Sequence, residues 1–336
     1  LLKITVNGLA LFRETLEIDF AAMQRVSEEN AENMYCVFGN IYQNNVLSIV
    51  GINASGKTSL LKVLSFVICM LNNEPINTIA CNEILDGIAE GEEVVFEIYF
   101  YTDTEQVHYL KTNVGKKADR YYICEEELKT KDVSKVKSKK RLYDFASIKA
   151  SIVRDGTEAF LLDDVSIMVA FNKQNSSSLY VADMLQYTNT NLLSVLETFP
   201  PELIAFFDPS IEYLRIKEMK KDADIRLKFR DKEEIVLNHP TELNRYLSSG
   251  TIKGINTFVY AMRTFEKGGY LLVDELENHF NKEIVSILIR FYRDSRVNSK
   301  GAVLVFSTHY AELLDEFERN DNIFITRNRN GITVQN

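Results

Sequence analysis

Val46–Leu64 reads VLSIVGINASGKTSLLKVL, and this stretch leaves the chain few folds to choose from. The apolar residues Val46, Leu47, Ile49 and Val50 run into Gly51-Ile-Asn-Ala-Ser-Gly-Lys-Thr58, and a helical pattern follows. Strand, G-x-x-x-x-G-K-[ST] loop and helix, in that order, are what a phosphate-cradling loop requires. Gly51 and Gly56 let the backbone curl until its N–H groups, those of Asn53, Ala54 and Ser55 among them, surround a phosphate chain. A helix beginning near Lys57 and continuing through Ser59 adds its positive end. Lys57 supplies a mobile cation, and the Thr58 hydroxyl suits Mg²⁺.

Composition sets the outer limits. The 336 residues, 46% hydrophobic and 26% charged, suffice for one large α/β domain or two lobes. A formal net charge of −9 excludes a surface built as a whole to neutralise nucleic-acid phosphates, though a local basic patch is compatible with it. Cys36, Cys69, Cys81 and Cys124 form neither a C-x-x-C pair nor a metal-like spacing, which points to a reducing, cytoplasmic setting. The longest apolar run, near Leu60–Leu71, contains Lys62 and is too short to span a bilayer, so no membrane association is expected. The chain opens on Leu1 and stops soon after an expected strand, Ile332–Gln335, so a start Met and a C-terminal segment are expected beyond it.

Leu2–Phe20 predicts two strands around a turn at Asn7-Gly8. Glu92–Tyr101 alternates strongly, Val107–Thr112 reads as its hairpin partner, and Arg120–Cys124 as a third antiparallel strand. Lys129–Arg141 (KTKDVSKVKSKKR) is basic and poor in apolar residues: a solvated loop, or a contact for nucleic acid or a partner, without interleaved aromatics. After Ser176–Ser178, helical patterns run to about Phe199; Asp208–Glu218 also shows helical periodicity, and Ile225–Phe229 with Glu234–Leu237 predicts a hairpin. Three parts are expected: residues 1–130 with the phosphate loop and an antiparallel sheet, 131–222 as an inserted, mainly helical arm or lid, and 223–336.

The last part completes a nucleotide site. Tyr270–Val273 is a continuous apolar run, the mark of a parallel strand covered on both faces, and it empties into Asp274 and Glu275. Asp274 suits a Mg²⁺ shell and Glu275 a general base for the attacking water. Gly301–His309 repeats the pattern and ends in Ser307-Thr308-His309, where the histidine is either within reach of the γ-phosphate or an ordinary capping residue. His108, His239 and His279 read as structural. Leu247-Ser248-Ser249-Gly250-Thr251 precedes a helix: a second anion site at a helix N-terminus, or an ordinary cap by Ser248 or Ser249.

GINASGKT, LSSGT, LLVDE and STH, in this order, resemble the Walker A, signature, Walker B and H-loop elements of ABC-type ATPases. The gap of 192 positions (250 − 58) from Walker A to signature is similar to the RecF/SMC/OLD branch, as are DELENHF and the Asn-Ala-Ser of the loop. The resemblance implies an ABC-type P-loop ATPase head of α/β class, with an N-terminal antiparallel subsheet and an inserted helical arm. Carried over, it makes Lys57, Glu275 and His309 catalytic, and Gly51, Asn53–Ser59 and the signature residues Ser248, Ser249 and Gly250 ATP contacts. Thr58 and Asp274 become the Mg²⁺ ligands. Ser248 and Gly250 would act on ATP held by another copy, which implies a homodimer or higher homo-oligomer.

Many stand-alone ATPases of this branch serve bacterial phage defence, in abortive-infection, PARIS, Septu and retron-like systems. The resemblance therefore implies a sensor or regulatory ATPase controlling an effector nuclease or toxin. The alternative is a DNA-repair or chromosome-maintenance ATPase whose arm and Lys129–Arg141 touch DNA. A GTPase fits less well, because Asn172-Lys173-Gln174-Asn175 lacks the final Asp of N-K-x-D. The Q-loop and the adenine contacts are unplaced, with Gln106 and Gln174 as candidates for the first and Phe12 or Arg13 for the second.

Overall fold

The computed structural model describes residues 1–154, 161–175, 178–187, 192–193, 199–218, 223–278, 280 and 282–336. Two six-stranded sheets face each other across one helix. The first is antiparallel and joins β1 (Lys3–Asn7), β2 (Leu16–Asp19), β6 (Glu93–Thr102), β7 (Gln106–Lys117), β8 (Arg120–Asp132) and β9 (Ala150–Arg154) in the order β2-β1-β6-β7-β8-β9. The second contains β5 (Val46–Val50), β10 (Val181–Asp183), β14 (Tyr270–Val273), β15 (Val303–Thr308), β16 (Ile323–Asn328) and β17 (Ile332–Gln335). Its order is β10-β14-β15-β5-β16-β17, parallel throughout except for the last pair.

The helix Lys57–Leu71 explains this layering. It is apolar on nearly every side, with Leu60, Leu61, Val63, Leu64, Phe66, Val67, Ile68, Met70 and Leu71 all buried, so it needs cover on both flanks. One flank meets the inward row Val94, Phe96 and Ile98 of β6, with Phe66 and Phe96 stacked at 5.6 Å. The other meets Leu47, Ile49, Leu272, Val303 and Val305 of the parallel sheet. On that sheet's far face, Val46, Leu271, Val273, Leu304 and Phe306 pack against the helices Ser249–Lys267 and Lys282–Arg293. Strands covered on both faces are apolar at every position, as Tyr270–Val273 and Val303–Thr308 largely are.

The stretch 131–222 contains strands as well as helices among its described residues. β9 closes the antiparallel sheet and β10 takes the edge of the parallel one, both too short for their periodicity to show in sequence. Asp208–Glu218, expected as helix, is instead β11 (Ile211–Glu218), paired with β12 (Ala223–Phe229), which in turn pairs with β13 (Ile235–Leu237). A β-bulge between Ile211 and Tyr213 explains the misreading. The extra residue puts Ile211 and Leu214 on one buried face, an i, i+3 spacing that imitates a helix. A small ribbon, β3 (Tyr35–Phe38) with β4 (Ile41–Gln43), completes the strands named here.

β8 continues through Asp132 into the basic stretch and uses part of its charge structurally. Lys131 is buried and donates to the carbonyls of Arg141 (2.6 Å) and Asp144 (2.9 Å). Lys139 donates to the carbonyls of Ala22 and Gln24, at 2.5 and 2.7 Å. No described helix is long and apolar enough to cross a membrane.

Candidate nucleotide site

Three neighbouring parallel strands, β14, β15 and β5, end along one edge of the sheet. The residues that follow them are Asp274, His309 and Gly51. A hydrogen-bonded sheet thereby brings together stretches that lie far apart in sequence.

The loop after β5 is shaped by close packing. Ala54 (φ 60°) and Gly56 (φ 103°) take left-handed backbone. A Cβ at Gly51 would lie 2.5 Å from Thr326 Oγ1 and 2.8 Å from the Thr326 carbonyl, and closer still to Ser55 Oγ. Ser55 Oγ is hydrogen-bonded to Thr326 Oγ1 at 2.7 Å, and Asn328 Nδ2 donates to the Ala54 carbonyl at 3.3 Å, so β16 backs the loop. Among the described residues no side chain caps the helix Lys57–Leu71, and its first turn holds no acid. Its leading N–H groups and positive end are therefore left for an anion.

The catalytic candidates form one network. Thr58 Oγ1 donates to Asp274 Oδ2 at 2.7 Å, and Ser307 Oγ donates to Asp274 Oδ1. The Glu275 N–H donates to the same Ser307 hydroxyl at 2.7 Å. Glu275 Oε2 accepts from Asn278 Nδ2 at 2.5 Å, and Glu275 Oε1 lies 2.9 Å from His309 Nε2. Lys57 Nζ donates to the carbonyls of Gly51 (2.8 Å) and Ile52 (3.1 Å) and sits 3.0 Å from His309 Nδ1. An ammonium has only protons to give, so Nδ1 accepts and Nε2 carries the ring proton donated to Glu275.

The charges follow from these contacts. The hydrogen bond from His309, with that from Asn278 and the charge of Lys57, holds the Glu275 carboxyl below its ordinary range, against the opposing effect of burial. Burial lowers the pKa of Lys57, while Asp274, Glu275 and Glu277 pull it back up. Among the described residues no three His, Cys, Asp or Glu side chains converge on a metal position. A hydroxyl and a carboxylate, Thr58 and Asp274, are nonetheless a donor set that would fit Mg²⁺ together with phosphate oxygens and water.

The other expected residues are placed as follows. Asn53 is exposed on the loop and Ser59 lies in the first helical turn. Ser248 caps the helix Ser249–Lys267 by accepting from the Thr251 N–H at 3.0 Å. With Ser249 and Gly250 it stands at the N-terminal end of that helix. The turn Leu11–Arg13 is tied to Ile332 by paired backbone bonds of 2.9 Å, and Ile332 is what a Cβ at Gly56 would strike. Phe12 and Arg13 therefore stand beside the phosphate loop. Gln106 starts β7 and Gln174 lies in the helix Met168–Asn175, where Asn172 donates to the Leu71 carbonyl at 2.7 Å. His108 is buried between Thr102 and Thr130, and His239 caps the turn Pro240–Arg245. His279 lies outside the described residues.

Sequence reasoning missed Ser307, Asn278, Glu277 and Thr326 as parts of the site. The first three adjoin recognised motif residues, and that adjacency was the available signal. Thr326 gave none, since only sheet order brings β16 beside the loop.

A protein-family model described as "AAA domain, putative AbiEii toxin, Type IV TA system" matches residues 46–315. A solved structure described as the SmcHead bound to the C-winged helix domain of ScpA is similar over 99% of this chain and 96% of that one, with 16% identity and a TM-score of 0.49. No curated protein matches the chain.

Proposed function

The chain belongs to this AAA-domain family of P-loop ATPases, and from that premise we propose that it is an ATP-hydrolysing molecular switch. One observation carries the reading: the hydroxyl–carboxylate pair Thr58–Asp274 and the triad Lys57–His309–Glu275 stand together beside the phosphate loop. Gly51 through Ser59 would hold the phosphates of ATP. Thr58 and Asp274 would hold Mg²⁺, which supplies charge neutralisation on the phosphate oxygens. Glu275, ionised at neutral pH, accepts a proton from the attacking water, and His309 orients that carboxylate from the phosphate side. Phe12 or Arg13 would meet the base or ribose. Gln186 follows β10, the strand next to β14, and is the glutamine we assign to the Q-loop in place of Gln106 or Gln174.

In the same reading residues 1–130 and 223–336 form most of the head, and 131–222, proposed as the arm or lid, adds β9 and β10 to its two sheets. Ser248, exposed at a helix start, and the half-buried Ser249 and Gly250 contact ATP held by a second copy of this chain in a homodimer or larger assembly. The setting is cytoplasmic, and the assembly reports to an effector nuclease or toxin in anti-phage defence. The motif resemblance and the family's toxin–antitoxin description support that role. A DNA-repair role has less support, because Lys131 and Lys139 are occupied with backbone carbonyls instead of facing a nucleic acid.

Light scattering of Glu275→Gln with and without ATP and Mg²⁺ tests the switch. Turnover should fall roughly 10²–10⁴-fold, the usual worth of a general base, and particle size should grow with ATP. Adding Ser248→Arg should abolish the growth while ATP still binds. Near-normal turnover of Glu275→Gln, or a size indifferent to ATP, would sink the proposal.

A further inference from the structure

The segments at the ends of β14 and β15 carry the metal carboxylate, the base and the histidine, and five contacts bind them to each other. Ser307, which is fully buried, enters three of them, two as acceptor. Its hydroxyl accepts from the Glu275 N–H at 2.7 Å, and its carbonyl accepts from the Leu276 N–H at 3.1 Å. In the opposite direction, Glu277 Oε1 accepts from the His309 N–H at 2.6 Å, and His309 Nε2 donates to Glu275 Oε1 at 2.9 Å.

Between these contacts Glu275 adopts φ 49°, left-handed backbone that a glutamate seldom takes and that must be held from outside. Ser307 is what holds it, through both bonds. The single hydroxyl proton of Ser307 is given to Asp274 Oδ1, while Thr58 takes Oδ2. One side chain thus fixes the rotation of Asp274 and the backbone angle of Glu275 at the same time.

We propose that Ser307 is a positioning residue for ATP hydrolysis, the hub that keeps the Mg²⁺ carboxylate Asp274 and the base Glu275 in register, with Glu277 as the reciprocal strut that holds His309. The inference rests on the reading of Glu275 as the base and of Asp274 as a metal ligand. Without the Ser307 hydroxyl, Asp274 loses a donor and can rotate away from Thr58. The half-buried Glu275 N–H loses its acceptor, and the left-handed turn relaxes. Neither bond of the Ser307 hydroxyl reaches the phosphate loop, so ATP affinity stays.

The experiment compares Ser307→Ala, Ser307→Thr and Glu275→Gln for ATP affinity, kcat, the Mg²⁺ concentration giving half-maximal turnover, and thermal midpoint. We expect Ser307→Ala to keep ATP affinity within about twofold and to lose roughly 10- to 100-fold in kcat, the scale of an ångström of misplacement. It should also need several-fold more Mg²⁺, and Ser307→Thr should recover most of both losses. Wild-type kcat and Mg²⁺ dependence in Ser307→Ala, or a Thr variant as slow as Ala, overturns the hub. Should Ser307→Ala fail to fold, Glu277→Ala and Glu277→Gln decide the matter. A slow Ala variant with recovery in Gln, which keeps the acceptor oxygen, supports the coupled loops, and equal rates for the two overturn them. If Glu275→Gln itself turns over normally, the base assignment has failed and not the hub alone.

Discussion

Gly51→Ala adds one methyl group, and the structure sets what it must displace. The new Cβ would meet Ser55 Oγ, Thr326 Oγ1 at 2.5 Å and the Thr326 carbonyl oxygen at 2.8 Å. The two hydroxyls can rotate, at the expense of their mutual 2.7 Å bond. The carbonyl cannot, because β16 is paired on one side with β5 and on the other with β17. Relief to an ordinary contact of 3.4 Å therefore requires the phosphate loop to move by about 0.6 Å (3.4 − 2.8). An ångström of misplacement is worth about 100-fold in rate, so kcat/KM should fall roughly 10- to 100-fold, and overpacking should cost about 1–3 kcal/mol of stability. Steady-state ATPase kinetics, ATP titration calorimetry and thermal melting measure the three quantities. Combining Gly51→Ala with Ser55→Ala or Thr326→Ala should not restore activity, since the carbonyl stays. Full rescue by either partner, or wild-type kinetics in Gly51→Ala alone, would refute the argument from the backbone.

Two further outcomes follow from residues away from the loop. His108 is buried against Phe100 and Phe171, and burial lowers its pKa from 6.5 to about 4. The folded state therefore binds fewer protons than the unfolded chain between those values, and stability falls as pH drops through that window. Urea unfolding should show about 2 kcal/mol less stability from this group at pH 5 than at pH 7. His108→Gln should remove that part of the slope, and an unchanged slope counts against a buried neutral histidine. Lys139→Ala should lower the thermal midpoint by the equivalent of about 1 kcal/mol, since the carbonyl of buried Ala22 loses its Lys139 donor while that of exposed Gln24 keeps Arg319. It should leave any nucleic-acid affinity where it was; a large loss of affinity at unchanged stability would reassign Lys139 to a binding surface.

What the sequence determined by itself was local and covalent. Glycines at fixed spacing, a lysine and a threonine between an apolar run and a helical pattern imply a phosphate loop because each requirement is met within a few residues. Continuous apolar runs ending in Asp274-Glu275 and Ser307-Thr308-His309 mark buried parallel strands for the same reason. The tertiary structure decided the rest. Strand order set β14, β15 and β5 side by side, and only then does His309 stand between Lys57 and Glu275. Thr326 became the wall of a loop some 270 residues earlier, the separation across its bond to Ser55 being 271 positions. The bulge at Ile211 turned an apparent helix into a strand, and Lys131 and Lys139 proved to be internal fasteners within a stretch that reads as solvated. Periodicity and motif spacing register what a residue's neighbours along the chain require. Hydrogen bonds between strands, and the burial of a charge against carbonyls from elsewhere, depend on neighbours in space.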